Sequence, residues 1–86
     1  MREDIKDNRN MRIGTIDRQL NGCITIYDKS NYRIGEIRPE GHRLYAFDKS
    51  NYRIAYWDEN SDTTYDYKTN RRIDKGNLLV SLFFQN

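Results

Sequence analysis

Seven residues of this chain occur twice without change: Asp28-Lys29-Ser30-Asn31-Tyr32-Arg33-Ile34 and Asp48-Lys49-Ser50-Asn51-Tyr52-Arg53-Ile54. Weaker copies flank them, Asp7-Asn8-Arg9-Asn10-Met11-Arg12-Ile13 before and Asp66-Tyr67-Lys68-Thr69-Asn70-Arg71-Arg72-Ile73 after. An Asn-x-Arg-Ile anchor therefore recurs at Asn10, Asn31, Asn51 and Asn70, in steps of 21, 20 and 19 residues. A repeat this short means that one small structural unit is built four times over.

Local chemistry identifies the unit as a β-hairpin. In Tyr27-Asp28-Lys29-Ser30-Asn31-Tyr32, the Asp side chain opens a type I turn by accepting from nearby backbone N–H groups, and Asn tolerates a left-handed backbone. A type I turn followed by a left-handed residue is the three-residue hairpin connection with a bulge. The flanks, Ile24-Thr25-Ile26-Tyr27 and Tyr32-Arg33-Ile34-Gly35-Glu36-Ile37, are rich in β-branched and aromatic residues that suit strands. The expected fold is mostly β: four tandem antiparallel hairpins in up-and-down order, with units at about 5-17, 23-38, 43-58 and 63-74, in a single domain over 1-86.

The first unit opens on a short strand, Ile5-Lys6, and the connectors fall at Asp17 to Gly22, at Arg38 to His42 with the only proline, and at Asp58 to Asp62. In the fourth unit either Tyr67 replaces the turn Asp or one residue is inserted. Apolar residues pair at a spacing of three, as in Ile13 and Ile16, Ile34 and Ile37, and Ile54 and Trp57. A one-sided strand needs spacings of two or four, so these strands bury both faces or bend near Gly14, Gly35 and Ala55. Small residues in these aligned positions suggest backbones crowding one another.

The tail, 78-84, leaves the repeat and is the most apolar stretch of the chain. Its length and its Val and Phe favour a strand, although Leu78, Leu79, Leu82 and Phe83 also fit one face of a short helix. It either completes the core or forms a subunit interface, for which Leu79, Leu82, Phe83 and Phe84 are the candidates.

Composition narrows the function classes. Leu, Ile, Val and Phe total 18 of 86 residues, so the core is thin and borrows from seven Tyr and one Trp. Arginine outnumbers lysine ten to five, which favours stacking on aromatic rings and paired hydrogen bonds to carboxylates. The net charge is only +2 with both signs interleaved, which argues against a nucleic-acid or membrane partner. Cys23 is the only cysteine, and the start lacks an apolar leader, so a cytoplasmic protein is the default expectation.

Four hairpins with a Tyr/Phe-Asp-x-x-Asn-x-x-Ile-Gly-like core, carried by Tyr27-Asp28 to Ile34-Gly35 and Phe47-Asp48 to Ile54-Ala55, resemble the four-fold β-flower domains of bacteria. The resemblance spans Ile5 to about Asp74 and implies hairpins set around a pseudo-fourfold axis, with no established activity. Ala55 and Asp74, where glycine is expected, and the irregular fourth turn depart from it. Choline-binding repeats are similar in period and aromatic content, but their Trp-Tyr-Tyr signature is absent.

Arg12, Arg33, Arg53 and Arg72 take one place in every unit. They either form a ladder that holds a carboxylate, phosphate or sugar acid, or satisfy themselves on neighbouring Tyr, Asp and Glu. Tyr27, Tyr32, Tyr45, Tyr52, Tyr56, Trp57, Tyr65 and Tyr67 either offer a platform for sugars or peptides or form the thin core. The candidate ligand residues are Arg12, Arg33, Arg53, Arg72, Tyr32, Tyr52 and Trp57. The repeated Asp28, Asp48 and Asp66 read as turn formers, since a lysine interrupts any calcium-loop pattern. His42 and Cys23 lack a partner that would make a catalytic dyad. No metal or cofactor is expected. The expected role is non-catalytic binding or assembly through protein–protein contacts, as homo-oligomer or with another protein; the alternative is a module for a small anionic or sugar ligand.

Overall fold

A computed structural model describes residues 1–84. The strands are β1 (Arg2–Lys6), β2 (Arg12–Arg18), β3 (Ile24–Asp28), β4 (Arg33–Glu40), β5 (Arg43–Asp48), β6 (Arg53–Asp58), β7 (Thr63–Asp66) and β8 (Arg72–Lys75), followed by the helix α1 (Leu79–Leu82). All eight strands form one antiparallel sheet in the order β1 to β8. No helix among the described residues is long and apolar enough to cross a membrane.

The turns follow from Asp and Asn. Asp28 Oδ1 accepts from the N–H groups of Ser30 at 2.8 Å and Tyr32 at 3.0 Å, and Asp48 repeats the pattern with Ser50 and Tyr52. Asn10, Asn31, Asn51 and Asn70 all have left-handed backbones, with φ between 60 and 68°. Asp66 takes the turn role in the fourth hairpin, accepting from Thr69, so the irregularity is one inserted residue.

A bulge follows every one of these turns. Tyr27 pairs with Arg33 but Ile26 pairs with Gly35, which leaves Ile34 as the extra residue. Ile13, Ile54 and Ile73 are skipped in the same way. The bulge resets the side-chain alternation, and this explains the spacing of three. Ile34 and Ile37 both reach the same core cluster although they stand three positions apart.

One face of the sheet carries Ile16, Ile26, Ile37, Ala46 and Ala55, which cluster with Leu79 of the tail. The tail is a helical turn rather than the favoured strand. Alternation in a strand would turn half of its large side chains away, whereas a helical turn brings Leu79, Leu82 and Phe83 to one side. Its entry is pinned by Thr64, whose Oγ1 donates to Gly76 O at 2.7 Å and accepts from Leu78 N–H at 3.0 Å. The Phe84 and Phe83 rings lie directly on Gly14 and Gly35. The aligned small residues therefore make room for the tail, with the Tyr27 and Phe47 carbonyl oxygens also close at 2.6 and 2.5 Å from where a Cβ would stand.

Among the described residues the opposite face has no second layer of secondary structure, and arginines serve instead. Arg38 lies over Phe47 at 4.3 Å, Arg43 over Tyr56 at 4.3 Å, Arg53 over Tyr45 at 4.2 Å and Arg2 over Tyr27 at 4.5 Å. The aliphatic stems and flat guanidinium groups keep Phe47 and Tyr56 below 10 % exposure.

Two boundaries differ from the sequence expectation. β1 begins at Arg2 rather than Ile5, because Arg18 N–H donates to Met1 O and Glu3 pairs with Arg18. Pro39 lies inside β4 rather than in a connector, paired with Leu44. It sits past Ile37, the last β4 residue paired with β3, where only one side of the strand needs ladder bonds.

Candidate functional site: the groove between the third and fourth turns

An open cavity of about 970 Å³ lies between the turn joining β5 to β6 and the turn joining β7 to β8. Asp48, Asn51, Tyr52, Arg53, Ile54, Asp66, Tyr67 and Lys68 line it.

Its position follows from what the anchor arginines do. Arg12 reaches across to the second turn and donates to Lys29 O at 2.6 Å. Arg33 reaches the third turn in the same way, donating to Lys49 O at 3.3 Å and Asn51 Oδ1 at 3.1 Å. These bonds staple each turn to the next. Arg53 turns back instead, donating to Glu40 Oε2 at 2.9 Å and stacking on Tyr45. The inserted residue in the fourth turn breaks the equivalence that the staple needs, and the gap between the third and fourth turns stays open.

The fourth turn is held from other directions. Tyr67 N–H donates to Ile54 O at 3.1 Å, and the Tyr67 ring meets Tyr45 edge-on at 6.2 Å. The Tyr56 hydroxyl bonds Asn70 Oδ1, and burial holds that phenol above its ordinary range. Asp66 lies below the ordinary carboxylate range because the backbone N–H and the hydroxyl of Thr69 donate to it. It remains a hydrogen-bond acceptor and is a poor proton donor at neutral pH.

Of the sequence candidates, the groove brings together Tyr52 and Arg53. Tyr32 occupies the equivalent place on the second turn and is as exposed as Tyr52, at 72 %. Arg12 and Arg33 are spent on the staples, and Arg72 is exposed on β8 with Asp74 Oδ1 at 3.8 Å. Trp57, towards the far end of β6, packs on the core cluster and donates its indole N–H to Asp62 at 2.9 Å. Leu79 is fully buried, while Leu82, Phe83 and Phe84 are half-buried against the sheet.

Sequence reasoning did not place Lys68, Tyr67 and Asp66 in one site with Tyr52 and Arg53. The signal was the shortest step, 19 residues, combined with a longer turn.

No protein-family model, curated protein or solved structure matches this chain.

Proposed function

We propose that this protein is a non-catalytic binding module that takes a small polar ligand in the groove between its third and fourth turns. The observation that carries the reading is a coincidence of place. Where the repeat is broken, a cavity of ligand size opens, and two exposed phenol rings and two cations line it. Nothing in the sheet's own stability requires that gap, since the two gaps between the first three turns are each closed by an arginine, Arg12 and Arg33.

Two carboxylates share the groove, as a hydrolytic site would require, but both are engaged by their own turns. Asp48 accepts from Ser50 and Tyr52, and Asp66 from Thr69. A hydrolase of this kind needs one carboxyl raised to act as an acid, and Asp66 is shifted the other way. Both residues serve better as fixed acceptors for a bound molecule. The test is a fragment screen by amide NMR on the full chain: bound fragments should perturb residues 51–54 and 66–68, and hits scattered elsewhere would overturn the assignment.

A protein partner is the second reading. It is favoured by Tyr32 and Tyr52, equally exposed on neighbouring turns in a residue type that dominates protein contacts.

A further inference from the structure

We propose that the ligand of the groove is a neutral saccharide; this rests on the reading of the groove as a ligand site. The formal charges of the lining cancel, with Asp48 and Asp66 against Arg53 and Lys68. Arg53 is also already paired with Glu40 at 2.9 Å. No field of one sign draws in a free anion or cation. The same four side chains, with the Asn51 amide, offer donors and acceptors side by side, and this suits hydroxyl groups that both give and take hydrogen bonds.

The second requirement of a sugar is a flat apolar surface for its C–H face. Tyr52 on the third turn and Tyr67 on the fourth, 72 % and 46 % exposed, supply rings from two sides of the groove. Tyr67 is positioned before any ligand arrives, by its backbone bond to Ile54 and its edge-on contact with Tyr45. A preorganised ring lowers the cost of ordering on binding. The cavity is near the upper end of the roughly 300–1,000 Å³ range of small-molecule sites, so a short oligomer fills it better than a single ring.

The test titrates the isotope-labelled full chain with cellohexaose and N-acetylchitohexaose as neutral probes, oligogalacturonate as the anionic one and chitosan oligomer as the cationic one. The neutral oligomers should shift the amides of Tyr52, Arg53, Tyr67 and Lys68 saturably, with little dependence on salt. Tyr52→Ala and Tyr67→Ala should each weaken binding about tenfold, and Tyr67→Phe should retain it. Tyr32→Ala, an equally exposed tyrosine outside the groove, should bind like the parent. Amide spectra of the variants away from the groove report that each is folded. Preference for either charged oligomer, or loss of binding in Tyr32→Ala, would overturn the proposal. If fragments occupy the groove but neutral oligomers do not, the saccharide assignment falls and the ligand site stands. If neither occupies it, both fall.

Discussion

Hairpins two and three share an identical turn with the same Asp-to-backbone bonds inside it, whereas hairpin four keeps the left-handed Asn and the bulge but changes the path between them. The shared parts, Asp28 and Asp48, Asn31 and Asn51, Ile34 and Ile54, are what any hairpin of this array needs in order to form. The changed part, the extra residue between Asp66 and Asn70, leaves the bulge between β7 and β8 in place. It removes a staple and opens a groove. Repetition in this molecule serves folding, and the departure from it creates the candidate site.

The comparison breaks most visibly at the position after the anchor isoleucine, which is Gly35 in hairpin two, Ala55 in hairpin three and Asp74 in hairpin four. A methyl group at Gly35 would stand 2.5 Å from the Phe47 carbonyl oxygen and against the Phe83 ring. Gly35→Ala should therefore cost about 2 to 3 kcal/mol in urea denaturation, from overpacking that a rigid carbonyl cannot relieve. A variant that unfolds like the parent would show that the tail does not depend on that space.

The turns come next. Asn31→Val and Asn51→Val should each cost about 1 to 2 kcal/mol, because a β-branched residue is strained at positive φ. Asn70→Val should cost more than either, since it also strips the partner from the buried Tyr56 hydroxyl. Equal losses at all three positions would mean that the Tyr56 bond is unimportant to the fourth hairpin.

Arginine substitutions sharpen the contrast at a smaller scale. Arg33→Ala removes a partly exposed staple and should lower stability by about 0.5 to 1 kcal/mol, with a smaller effect on the groove, which it touches only through Asn51. Arg53→Ala should have a similar effect on stability and should weaken binding.

The smallest expected effect is on pH. Burial raises the Tyr56 phenol above its ordinary value of 10.0, so the folded state holds that proton more tightly than the unfolded chain does. The contribution is complete below pH 10 and is lost as pH rises through the folded-state value. Thermal melts should fall in this alkaline range for the parent, and fall less steeply for Tyr56→Phe.

Much of this architecture was legible in the residues. Asp and Asn at fixed spacing specify the turn chemistry directly, and all four Asn residues adopt the left-handed backbone that the spacing predicts. Mostly β structure in eight short strands followed, with the arginine excess pointing to stacking on tyrosine. The tail was less legible because a seven-residue apolar run fits either period. What decides between them is a distant event, the capture of Leu78 by Thr64 and the fit of two Phe rings over two glycines. The groove was least legible of all. Its lining comes from two turns far apart in the sequence, and its opening goes with a bond that Arg53 makes elsewhere.

The tail is also the point on which the whole account turns, because among the described residues it is the only element outside the sheet that covers the aliphatic face. Comparing the intact chain with one ending at Asn77, by light scattering and thermal melting, tests this directly. The truncated chain should lose cooperative unfolding and expand, since Leu79, Phe83 and Phe84 no longer cover the face. A truncated chain that stays a folded monomer with an unchanged Tm would contradict the assignment of the tail to the core, and would return its apolar residues to the role of an interface.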